Sequence, residues 1–123
     1  MDDDEFLLEM YAVKFKESGF QVEVAKSGEA ALNKIREGYV ADVVLLDVVM
    51  PVIDGFELLR LIKKEQLLPK AVVIVLTNLG QKEDIDRGLR LGADDYIVKA
   101  HFTPTEVVNK ASQLIGKKSG SAL

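Results

Sequence analysis

The chain has 123 residues, the size of one domain, and 48% of them are hydrophobic, enough for a packed core. Its 20 acidic and 16 basic residues give a net charge of -4, without the basic surplus of a nucleic-acid binder, and no apolar run approaches the ~20 residues of a membrane span. The absence of cysteine removes disulfides and thiolate chemistry, the single histidine His101 builds no multi-histidine zinc site, and the acidic opening Met1-Asp2-Asp3-Asp4-Glu5 is no signal peptide, so a cytoplasmic setting is expected.

The first expected element is a helix from Asp4 to Ser18, with Leu7, Met10, Tyr11 and Phe15 at helical spacing and Gly19 just past its end. Gln21–Ala25 alternates polar and apolar residues, as a strand with one exposed face or at an edge would. Ser27 is placed to cap a helix reaching Glu37, with Gly38 as terminator. Val43–Leu46 is a continuous aliphatic run of the kind found in buried parallel strands. Asp54-Gly55-Phe56-Glu57 resembles a capping box and opens a helix to about Gln66, stopped before Pro69. Val72–Leu76 is a second aliphatic strand, Gln81–Leu91 a helix closed by Gly92, and Tyr96–Val98 a short fourth strand. Thr103, Pro104 and Glu106 then start a last helix that runs to about Leu114. Residues 1–115 form the expected domain, and residues 116–123 a flexible, Gly/Ser-containing tail. Strands alternating with helices in the order αβαβαβαβα imply a parallel sheet covered on both faces, with its site beyond the strand carboxyl ends.

Those ends carry a consistent chemistry. The strands deliver Asp47, Thr77 and Lys99, and the acidic run Asp2-Asp3-Asp4 precedes the first helix. Carboxylates hold a hard cation such as Mg²⁺, one carboxylate can attack phosphorus, and a lysine with a hydroxyl can stabilise the transferred oxygens. Taken singly, each residue has a plainer use. An aspartate or threonine after a strand is often a cap or turn residue, a lysine there is often solvated, and an acidic run before a helix often serves the helix dipole. Asp54 fits a cap, and His101 has no expected role.

Leu45-Leu46-Asp47-Val48-Val49-Met50-Pro51-Val52-Ile53-Asp54-Gly55 resembles the phosphoacceptor segment of response-regulator receiver domains. Leu76-Thr77 and Gly92-Ala93-Asp94-Asp95-Tyr96-Ile97-Val98-Lys99 resemble the same family's switch residue and its G-A-x-x-Y-x-x-K block. The separations of 44, 30 and 52 residues from Asp3 to Asp47, Asp47 to Thr77 and Asp47 to Lys99 match as well. The resemblance covers the chain to about Ile115. It implies a flavodoxin-like (CheY-like) three-layer α/β sandwich, and a switch that takes a phosphoryl group from a histidine kinase or phosphotransfer protein. By that likeness Asp47 is the phosphoacceptor, and the metal ligands are Asp3, Asp2 through water, Asp47 and the Val49 backbone carbonyl, holding Mg²⁺. Thr77 and Lys99 engage the phosphoryl group. Tyr96 is the switch aromatic, and output passes to a partner protein through the fourth helix, fourth strand and fifth helix.

Rival readings lack their own signatures. A haloacid-dehalogenase-type phosphatase needs a second aspartate where Val49 stands, and no phosphate loop of a nucleotide binder occurs. A truncated or pseudo-receiver, used only as a phosphorylation-independent interaction module, stays as the alternative. Two departures matter at the site. Ala100 follows Lys99 where the family has a cis proline, so a trans bond or a strained cis one is expected. Asn78 follows Thr77 where a small residue is common, which narrows access to Asp47. Val49 and Leu79, both apolar, cannot orient an attacking water, and so predict a long-lived phosphoryl-aspartate.

The family opens with an aliphatic strand ending at the acidic pair, whereas here only Met1 precedes Asp2. In the family's strand order, 2-1-3-4-5, that strand is central. Its absence predicts one of two outcomes. Gln21–Ala25 closes against Val43–Leu46 and carries Asp2 and Asp3 off the site, or exposed edges drive a homo-oligomer. In either case metal binding at Asp2 and Asp3 is expected to be weakened or lost.

Overall fold

The computed structural model describes residues 1–2, 4–50 and 52–120. Its elements in chain order are α1 (Glu5–Glu17), α2 (Gly28–Arg36), β1 (Val43–Leu46), α3 (Gly55–Lys64), β2 (Val72–Thr77), α4 (Lys82–Arg90), β3 (Asp95–Val98), a 3₁₀ turn (Lys99–His101) and α5 (Pro104–Gly120). The three strands form one parallel sheet in the order β1-β2-β3.

Capping fixes where the helices start. Asp4 accepts from the Phe6 and Leu7 amides, Ser27 from Ala30 and Asp54 from Glu57. Thr103 and Glu106 cap reciprocally, each side chain accepting from the other's backbone N–H. Gly38 and Gly92 follow α2 and α4 with φ of 105° and 107°, the left-handed conformation that ends a helix without a Cβ clash.

Two apolar layers sandwich the sheet. On one face, Leu32 and Ile35 of α2 and Leu58, Leu59 and Ile62 of α3 pack against Leu46, Val73 and Val75. On the other, Tyr11 and Phe15 of α1 and Val107, Val108 and Ala111 of α5 pack against Val72, Ile74 and Ile97. All six residues of β2 are buried, as an aliphatic strand covered on both faces must be. Each such side chain contributes about 1.5–3 kcal/mol through burial.

Two expectations about the elements need correction. Gln21–Ala25 is extended but is not a strand of the sheet: among the described residues it pairs in no ladder, and its Ala25 carbonyl alone meets a main-chain donor, the Asp2 amide at 3.2 Å. A strand exists through its neighbour, and among the described residues none lies beside residues 21–24. The expected closure of this segment onto Val43–Leu46 therefore does not occur. Two residues, Met1 and Asp2, stand between them instead. The Met1 amine donates to the Leu45 carbonyl at 2.8 Å, and the Asp47 amide to the Met1 carbonyl at 3.0 Å. The second correction is at the other end: α5 continues to Gly120 instead of ending near Leu114, so residues 116–120 of the expected tail are helical. Gly116 alone does not stop it, since an interior glycine costs only about 1 kcal/mol relative to alanine.

Candidate functional site

β1 ends at Leu46 and hands Asp47 to the carboxyl edge of the sheet. Beside it β2 ends in Thr77, and β3 runs into Lys99. Parallel register brings the three ends together: Leu46 pairs with Val75, and Thr77 with Val98. Asp2 joins them because Met1 is hydrogen-bonded into the edge of β1.

Lys99 is the hub. Its Nζ donates to Asp2 Oδ2 at 2.6 Å and to Asp47 Oδ2 at 2.9 Å, and the three side chains are 8–10% exposed. Burial pulls the Lys99 pKa down, but the hydrogen bonds and charges of the two carboxylates outweigh it and leave the ammonium above its ordinary value. The other Asp47 oxygen accepts from the Val49 amide at 3.0 Å, and Asp2 Oδ1 accepts from the Asp4 amide at 2.9 Å. The expectation that Asp2 leaves the site is thus corrected: its ion pair with Lys99 holds it in place. Asp3, expected as a metal ligand, lies outside the described residues. Among the described residues no three acidic or histidine side chains form a metal-binding group.

Thr77 is fully buried, and its hydroxyl accepts from the Leu79 amide at 3.3 Å. The Tyr96 hydroxyl donates to the Leu79 carbonyl. Burial first, then the charges of Asp84 and Asp47, push the Tyr96 hydroxyl up to about 12. The Leu79 peptide is therefore held at its N–H by one expected switch residue and at its carbonyl by the other. Sequence reasoning placed Leu79 only beside the path of water. Its backbone role has no residue-type signature, because any residue carries those two groups. Gly88 of α4 makes room for the Tyr96 ring: a Cβ there would lie 2.9 Å from Tyr96 Cδ2. Gly55 is equally constrained, since a Cβ would come within 2.2 Å of the Asp47 carbonyl oxygen. That is the physical need for glycine after Asp54.

No cis peptide occurs among the described residues, so Lys99–Ala100 is trans, the first of the two expected outcomes, and the chain turns there through the 3₁₀ segment. His101 is exposed in that turn. On the rim, Val49 is 58% exposed and Val52 is fully exposed with φ of 66°, a left-handed conformation that a β-branched residue adopts only under strain.

A sequence profile of the response regulator receiver domain matches residues 1–112. The chain belongs to the response regulator receiver family. It is 33% identical over 123 residues to the phosphate regulon transcriptional regulatory protein PhoB of Klebsiella pneumoniae, covering 100% of this chain and 53% of that protein. It is 40% identical over 121 residues to the CpxR homologue of Haemophilus influenzae, covering 97% of this chain and 50% of that protein. The chain thus spans about half the length of the curated relatives it matches. A CheY-like receiver domain protein from Methanospirillum hungatei superposes with a TM-score of 0.87 at 28% identity, covering 98% of this chain and 93% of that one. The fold and the place of this receiver in two-component signalling are those expected from its motifs. No described helix is long and apolar enough to cross a membrane.

Proposed function

We propose that this receiver is a phosphorylation-controlled switch in which Asp47 takes a phosphoryl group from a histidine kinase or phosphotransfer protein in the cytoplasm. An Asp47 carboxylate oxygen attacks phosphorus, the P–N bond to the donor histidine breaks, and the imidazole keeps the electron pair and takes a proton. The observation that carries the reading is the Lys99 ammonium, bound by Asp47 and Asp2 together. It offsets one of the two charges of a buried acidic pair before transfer, and is placed to donate to a phosphoryl oxygen in exchange for an Asp47 oxygen.

The donor set suits Mg²⁺. Asp2 and Asp47 present hard carboxylate oxygens that converge on one cation already, the ammonium. Asp47, Asp3, Asp2 through water and the Val49 carbonyl would hold the metal. When bound, it supplies positive charge against the oxygens of the transferred group.

The readout runs through Leu79. A phosphoryl group on Asp47 offers new acceptor oxygens to the Thr77 hydroxyl. Rotation of Thr77 toward them releases the Leu79 amide, and the Leu79 carbonyl that Tyr96 holds shifts with it. The surface of α4, β3 and α5 then changes its affinity for a partner protein, a population shift between two states. Val49 and Leu79 offer no side-chain hydrogen bond to an attacking water, so the acyl phosphate is long-lived, and Val49→Asn or Leu79→Glu shortens its life.

Beryllofluoride with Mg²⁺ tests the switch. Tyrosine fluorescence should change for the wild type and stay constant for Asp47→Asn. Equal responses in the two proteins would refute the role of Asp47.

A further inference from the structure

Between β1 and α3 the described side chains divide into an inner and an outer set. Val48 and Met50 are buried, and Ile53 packs against the core and against Gly28, where an added Cβ would meet the Ile53 carbonyl oxygen at 2.7 Å. Val49 and Val52 are the outer pair. The loop is held at both ends. The Val49 amide donates to Asp47 at 3.0 Å, the Gly55 amide to the Val48 carbonyl at 3.2 Å, and Asp54 caps α3. Val52 is thus presented on a fixed loop, five residues after Asp47, with its backbone in the left-handed region. Glycine or asparagine takes that conformation with less strain than a β-branched residue. The valine side chain is fully exposed, so it buries no surface that offsets the strain. It does nothing for the fold, and strain kept at the mouth of a reactive site points to a use in contact.

We propose that Val52 is a specificity-determining residue for the phosphodonor: it favours a protein whose phosphohistidine is bordered by aliphatic side chains over small or polar-flanked donors. The inference rests on the reading of Asp47 as the phosphoacceptor. The occupant follows from the route to that residue. Asp47 is buried, so a protein that delivers a histidine to it must press its own surface onto the rim. On this side the rim offers Val49 and Val52, and on the other the exposed Asn78 and the half-buried Leu79. An aliphatic residue beside the donor histidine removes Val52 from water during the encounter, and a polar one strips its own hydration without a partner. A small phosphoramidate enters without covering Val52 and gains nothing from it. The transfer is the same for every donor: an Asp47 oxygen–phosphorus bond forms, the P–N bond breaks, and the leaving nitrogen keeps the electron pair and takes a proton.

The probes are the peptide acetyl-Lys-Leu-Ala-His-Leu-Leu-Lys-amide, phosphorylated on its histidine, the same peptide with serine for each leucine, and phosphoramidate itself. Each is incubated with the 123-residue chain and Mg²⁺, and the rate of phosphoryl incorporation per donor concentration is read by intact mass. The leucine peptide should label the wild type about tenfold faster than the serine peptide, as burial of about one aliphatic side chain allows. Val52→Asn should abolish that preference and Val52→Leu should keep it, while phosphoramidate labels all three proteins at one rate. A preference that survives Val52→Asn, or equal rates for the two peptides on the wild type, would overturn the proposal. So would a phosphoramidate rate that falls with the peptide rate, since the loop rather than the contact would then be at fault. Self-association of the wild type that Val52→Asn removes would assign the valine to a second copy of the chain instead. A wild type that no donor labels would overturn the reading of Asp47 itself, a failure distinct from phosphoramidate labelling without peptide preference.

Discussion

The two halves of the sheet are built from similar sequence and end up in different states. From β1 inward, β2 is paired on both sides, by β1 and by β3, and is buried on both faces. On the outer side of β1, two residues hold the edge and a cavity follows. The aliphatic run Val43–Leu46 is common to both halves, so hydrophobic composition does not distinguish them. What distinguishes them is whether a second strand is present to meet the backbone. The carboxyl edge shows a third solution: an ion-pair hub ties Asp2, Asp47 and Lys99 together where main-chain pairing has run out.

The largest expected effect sharpens the contrast between the halves. Ile74→Ala, in the middle of β2, should cost about 3–5 kcal/mol in urea unfolding, because close-packed neighbours cannot collapse into the space. Leu8→Ala, beside the cavity, should cost less, since its side chain already borders empty volume. Equal costs would mean that the cavity wall is as well packed as the core.

Lys99→Met addresses the hub. It strands two buried carboxylates, and should cost about 3 kcal/mol at neutral pH. The Lys99 pKa is raised, so its contribution is complete below the ordinary lysine value near 10.5 and is lost as pH climbs through the higher folded value. A Lys99→Met variant as stable as the wild type at neutral pH would remove the hub from the account.

Much of this arrangement was legible in the sequence. Asp47, Thr77 and Lys99 each follow an aliphatic run, and a parallel sheet must gather such residues on one edge. The capping residues at Ser27, Asp54 and Thr103 were equally plain, because a side chain that satisfies a helix amide has a fixed place in the chain. Gln21–Ala25 was misread for a physical reason. Alternation reports which residues face an apolar layer, and Val22 does face one, but alternation is silent on whether a neighbour supplies hydrogen bonds. The retention of Asp2 was misread because its placement depends on a pairwise ion pair with Lys99, 97 residues away. The link from Thr77 through the Leu79 peptide to Tyr96 was invisible because it is made by backbone atoms.

Gly88→Ala tests that link. Its Cβ should push the Tyr96 ring out of contact with α4 and break the bond to the Leu79 carbonyl. The Tyr96 hydroxyl should then fall from about 12 toward the ordinary tyrosine value, read by ultraviolet titration. An unchanged titration would show that the ring does not depend on the space at Gly88. The smallest effect concerns the rim. Val52→Asn should stabilise the chain by about 1 kcal/mol, since asparagine tolerates the left-handed conformation and no buried surface is lost. A destabilised variant would mean that Val52 makes contacts its full exposure does not show.

The most direct test of the phosphoryl-accepting switch is the intact mass of the chain after incubation with acetyl phosphate and Mg²⁺. One phosphoryl group should appear on the wild type, persist through chromatography, and be absent from Asp47→Asn and from a metal-chelated control. Incorporation that survives Asp47→Asn, or a wild type that stays unmodified, would contradict the account.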